Sequence, residues 1–110
     1  MRFEVELTRG NFGVDTPNNH IYITDLIPHL PRDVFGGSNA ALKAPRSVVL
    51  EYDGRRCETD VPSDSRTGKP RPFFRARAFI GGFFAHSKAK PGDTVVLEMV
   101  SPYHIKLSLK

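Results

Sequence analysis

Five basic residues, Arg66, Lys69, Arg71, Arg75 and Arg77, lie between Ser63 and Arg77 against a single acid, Asp64. Together they outnumber the formal net charge of +4 carried by the whole chain. Four of the five are arginines, whose planar fork can grip a phosphate or the O6 and N7 edge of guanine, where lysine offers only a point charge. Chemistry of this kind is recognition of a polyanion, and it goes beyond neutralisation. A plain solvated basic loop is the alternative, since Pro62, Gly68, Pro70 and Pro72 punctuate the same stretch as turn formers. An arginine-bearing loop of that composition is nevertheless expensive to order without something to bind.

A second polar stretch has different chemistry. Asn11, Asp15, Asn18 and Asn19 present amide and carboxylate groups suited to adenine or cytosine edges, and Arg9 is available for phosphate. Asn and Gly are also ordinary turn residues, so this loop carries little weight alone. Phe12, Phe73 and Phe74 could serve as stacking platforms for a single strand of DNA or RNA, although the two paired phenylalanines fit a core equally well.

Catalytic patterns are weaker. His20, His29, His86 and His104 lie far apart, with no spacing that matches a metal-binding motif. Glu51, Asp53, Glu58 and Asp60 could form the carboxylate cluster of a compact metal-dependent nuclease, but they also fit polar positions flanking a hairpin, and their cationic neighbours are Arg55 and Arg56 in place of a lysine. Gly81-Gly82 lacks a phosphate-loop context, and no nucleophile elbow surrounds Ser63, Ser65 or Ser87. Cys57, the lone cysteine, sits in an alternating pattern that suits a structural thiol and excludes an internal disulfide. No cofactor or metal is expected. A reducing, cytoplasmic setting is, because no stretch approaches the roughly 18 apolar residues of a membrane span and the chain opens on Arg2 and Glu4 without a signal-peptide core.

These residues must be held by a scaffold of one domain, residues 1–110, with 39% hydrophobic and 25% charged residues. Alternation predicts strands at 3–8, 47–52, 55–61, 94–100 and 103–109, with a shorter one at 20–23. Asp53-Gly54 signals a two-residue hairpin and Pro91-Gly92-Asp93 a turn. Thr24 or Asp25 could cap a short helical turn that Pro28 and Pro31 limit, and Gly36-Gly37-Ser38-Asn39 reads as a break. Residues 79–84 suit either a helix interrupted by glycine or a buried strand. The expectation is a mainly β domain, an open seven-stranded pseudobarrel with one or two short helices.

In that order, Asn19-His20-Ile21-Tyr22-Ile23, Val34-Phe35-Gly36-Gly37, the run from Phe74 to Phe84 and Lys90-Pro91-Gly92-Asp93-Thr94-Val95 give a layout that resembles the B3-type DNA-binding pseudobarrel. This family occurs in plant transcription factors and in recognition domains of bacterial restriction endonucleases. The chain has no Trp, which plant members carry after their second helix, so the bacterial branch is the nearer. The resemblance implies two arms that clasp the major groove of double-stranded DNA and read a specific sequence. Arg9, Asn11, Asp15, Asn18, Asn19 and His20 would stand on the first arm; Ser63, Asp64, Arg66, Thr67, Lys69, Arg71, Arg75 and Arg77 would stand on the second. Such a domain is not itself an enzyme, and any cleavage would reside in an associated nuclease domain or subunit.

Overall fold

A computed structural model describes residues 1–13 and 18–110. The alternating segments form β1 (Arg2–Glu6), β2 (Val48–Tyr52), β3 (Arg55–Thr59), β4 (Thr94–Ser101) and β5 (His104–Leu109), joined in one sheet in the order β1-β4-β5-β2-β3. Each strand pair is antiparallel except β2 with β5, where Leu50 lies opposite Ile105 in a parallel register. Val48, Leu50 and Tyr52 are buried on alternate positions of β2, as are Ile105 and Leu107 of β5. Period-two patterning thus gives the sheet one strongly apolar face.

Helix α1 (Arg77–Ser87) covers this core through Ile80, Phe83 and Phe84. The Tyr52 ring meets Phe79 at 4.9 Å and Phe83 at 5.3 Å between centroids. Residues 79–84 are therefore helical. The glycine there answers to packing: a Cβ on Gly81 would lie 2.8 Å from Asn19 Nδ2, so a bare backbone lets the first loop press on the helix. Ile21, Ile23, Leu26, Val34 and Phe74 close the remaining sides of the same core.

The expected seven-stranded pseudobarrel is not formed. A five-stranded mixed sheet, one α-helix and three single 3-10 turns take its place among the described residues. Residues 20–23 are extended, yet they attach by isolated bonds, His20 N to Asn11 O and Ile23 N to Pro72 O, and make no ladder. Beyond β3, residues 60–63 make only single bridges, Phe35 with Val61 and Ser63 with Pro70. The chain turns at residues 24–26 directly after the first segment, and around the second Pro62, Pro70 and Pro72 remove N–H donors that a continued ladder would need. No helix of the described residues is long and apolar enough to cross a membrane.

Leu50, fully buried at the parallel junction of β2 and β5, tests whether this junction is the centre of the core. Leu50→Ala should lower stability by about 3 kcal/mol through lost burial and a residual cavity, measured by denaturant unfolding. A loss below about 1 kcal/mol would place the centre elsewhere.

Candidate nucleic-acid interface

Of the basic residues picked out in the sequence, Arg75 turns inward. Its Nε donates to Asp60 Oδ1 at 2.8 Å, and its Nη2 donates to Asp60 Oδ2 at 3.2 Å and to Gly37 O at 3.0 Å. Asp60, with only 10% of its side chain exposed, also accepts from Ala44 N at 2.8 Å. Backbone bonds reinforce the pair: Arg75 N donates to Asp60 O, and the Thr59 hydroxyl donates to Arg75 O. Gly36 leaves room for it, since a Cβ there would stand 2.8 Å from both Ala44 N and Arg75 Nη2. Thus three segments, 36–44, 59–61 and 75, are tied at one point.

Around this tie lies a cavity of about 680 Å³. Its walls are the edge strand at Cys57, Glu58 and Thr59, the loop at Ser38, Asn39 and Ala40, residues 71–79, and Asn18 with His20. Arg71 and Arg77 are exposed on its rim. Arg71 is held in place by its N–H to Pro62 O at 2.8 Å, and Arg77 donates from Nη1 to Asn18 Oδ1 at 3.3 Å. The start of α1 opens onto the same space. Ala76 provides no capping side chain, and the first turn contains no acid, so the positive end of the helix is uncompensated by its own side chains.

Inside the cavity His20 stacks on Phe73, with centroids 4.0 Å apart and planes 25° from parallel. Burial, then the charges of Arg77 and Arg71, lower the His20 pKa below the ordinary imidazole value. His20 Nδ1 and Arg75 Nη1 are buried and make no hydrogen bond among the described residues. Burial pushes the thiol of Cys57, also in the wall, up to about 11, which disfavours the nucleophilic thiolate.

The tip of the second arm is ordered by its own backbone. Asp64 Oδ1 accepts from Arg66 N at 2.8 Å and Thr67 N at 3.0 Å, which holds its carboxyl below the usual range. Asp64 N bonds Lys69 O, Thr67 Oγ1 accepts from Lys69 N, and Ser63 N reaches Gly37 O. Ser63, Asp64 and Thr67 therefore build the tip, and Arg66 and Lys69 project from it as exposed cations. The entropy that the sequence reading assigned to a partner is met within the loop.

The first arm divides likewise. Asn11, 1% exposed, accepts from Thr8 N at 2.7 Å and donates to His20 O at 2.9 Å, so its amide is spent within the fold. Asn19 accepts from Gly13 N and abuts Gly81. Arg9 is exposed, Asn18 reaches the cavity, and Asp15 lies outside the described residues. As stacking platforms, Phe74 is buried at 3% exposure, and Phe12 packs on Phe84 at 4.6 Å; Phe73 alone of the three lines the cavity.

Three of the four carboxylates weighed for a nuclease are engaged separately. Glu51 is bonded to His104 at 2.7 Å and lies 3.2 Å from Arg56; the bond from His104 is the main reason its pKa is lowered. Asp53 faces His86 at 2.9 Å, Asp60 holds Arg75, and Glu58 is on the cavity wall. Among the described residues no group of three or more His, Cys, Asp or Glu is placed to hold a metal ion.

Sequence reasoning missed Ser38, Asn39 and Ala40 and the open helix start at Ala76–Phe79. The latter was signalled by an alanine and an arginine where a capping residue and an acid would be usual. Arg75→Met, which leaves Asp60 buried without its partner, should destabilise the fold by about 3 kcal/mol in denaturant unfolding, whereas Arg71→Met on the exposed rim should change stability by less than about 0.5 kcal/mol. Equal effects would dissolve the distinction between anchor and rim. No protein-family model matches the chain, and no curated protein or solved structure matches it.

Proposed function

We propose that this protein binds double-stranded DNA, with Arg71 and Arg77 on the cavity rim and Arg66 and Lys69 on the neighbouring tip facing the duplex. The observation that carries this reading is the concentration of exposed cations beside an uncompensated helix start, with the nearest buried acid, Asp60, already neutralised by Arg75. Phosphates would be met by guanidinium forks and backbone N–H groups together, which favours polyanions over isolated carboxylates. Sequence preference rests on the arginines and on Asn18, as side chains that can reach base edges; Asn11 and Asn19 serve the fold. This keeps the two-arm clasp implied by the B3-type resemblance but narrows its contacts.

The protein acts as a recognition module in the cytoplasm, and cleavage belongs to a nuclease domain or subunit associated with it. Its single thiol suits a reducing compartment. A single-strand reading is less favoured, because Phe74 is in the core, Phe12 packs against it on Phe84, and one cavity aromatic, Phe73, already stacks on His20.

Duplex affinity measured against salt tests the reading. Arg71→Ala and Arg77→Ala should each reduce the log–log slope by about one, as one phosphate contact is lost. Unchanged slopes in both variants would remove the assignment.

His20 supplies an independent readout. In the free protein it should titrate below 6.5, because burial and then the charges of Arg77 and Arg71 disfavour its protonated form, which the unfolded chain takes up more readily. Acidification through the window between its lowered value and 6.5 therefore weakens the fold. DNA phosphates that neutralise Arg71 and Arg77 remove the charge contributions to that lowering, so the His20 midpoint, followed by NMR, should rise on binding and affinity should increase as pH falls from about 7 to about 5.5. A midpoint unmoved by saturating duplex would place the DNA away from this cleft.

A further inference from the structure

Beyond the rim, the cavity is a recess lined by aromatic and polar side chains. A B-form helix presents a broad grooved cylinder, whereas a recess of about 680 Å³ between an edge strand and a helix start admits a unit the size of one nucleotide. We propose that the cavity receives a single nucleotide swung out of the bound duplex, its base beside the stacked His20–Phe73 pair and its flanking phosphates on Arg71 and Arg77. This inference rests on the duplex-binding reading and gives the cavity a specific occupant.

Three features of the recess match what an extruded base needs. The first is an apolar, flat surface: Phe73 and His20 are nearly parallel, and Ala76 and Phe79 border the same space. The second is a set of polar groups able to read a base edge, which Asn18, Asn39, Ser38 and the Glu58 carboxylate provide on different sides. The third is cationic charge at the mouth, where the distorted backbone must be held while its base is unpaired. Arg75 contributes here through position: with its guanidinium committed to Asp60 and Gly37 O, it fixes the wall between Arg71 and Arg77 without taking a phosphate.

Extrusion breaks pairing and stacking, so its energetic penalty is least where the base is already mispaired. Duplexes carrying a mismatch at each successive position of the bound site should therefore reveal one position at which binding tightens by about tenfold. Ala40→Trp and Ala78→Trp, both at exposed positions lining the recess, fill it from two sides. Each should erase the mismatch preference while the salt dependence of duplex binding persists. Equal affinity for matched and mismatched duplexes at every position, in a protein that does bind duplex, overturns the nucleotide assignment and leaves the duplex reading intact. Micromolar competition by free deoxynucleoside monophosphates, without any mismatch preference, also overturns it in favour of a soluble nucleotide ligand. Failure to bind any duplex removes both readings together.

Discussion

The Asp60–Arg75 pair is the constraint on which the arrangement of the site depends. It sits where β3 ends, where the 36–44 loop passes, and where the chain approaches α1. A charge buried alone is strongly unfavourable, so either residue without the other would force this junction to rearrange. With both present, the carboxylate is saturated by the guanidinium and by Ala44 N, and Gly36 supplies the space. Arg71, four residues before Arg75, and Arg77, two after it, are then left exposed on a fixed backbone.

The electrostatics follow from that division. One arginine is neutralised inside and the remaining cations are left at the surface, beside a helix start that adds further positive potential. His20 registers the result, since its pKa is lowered by burial and by the two rim arginines in the same direction. The free cleft thus carries more positive than negative charge, with Arg71 and Arg77 on its rim against the carboxylate of Glu58 on its wall. Binding an anion would relieve the excess.

Much of the scaffold was legible in the sequence. Alternation located β1, β2, β4 and β5, and Asp53-Gly54 located the β2–β3 hairpin. The strand count failed because extended, apolar segments such as Ile21–Ile23 look alike whether or not a partner strand completes their ladder. The site was legible in composition and less so in role. Arg75 and Arg77 are indistinguishable in a list of basic residues, and only the position of Asp60, fifteen residues before Arg75, separates an internal tie from a free cation. Asn11 was misleading for a similar reason: an amide suited to reading a base is equally suited to holding Thr8 and His20.

The most direct test of this account is an NMR titration of the arginine Nε–Hε resonances with duplex DNA. The resonances of Arg71 and Arg77 should shift on binding, and that of Arg75, whose Nε already donates to Asp60 at 2.8 Å, should stay in place. A shift dominated by Arg75, with Arg71 and Arg77 unmoved, would contradict it.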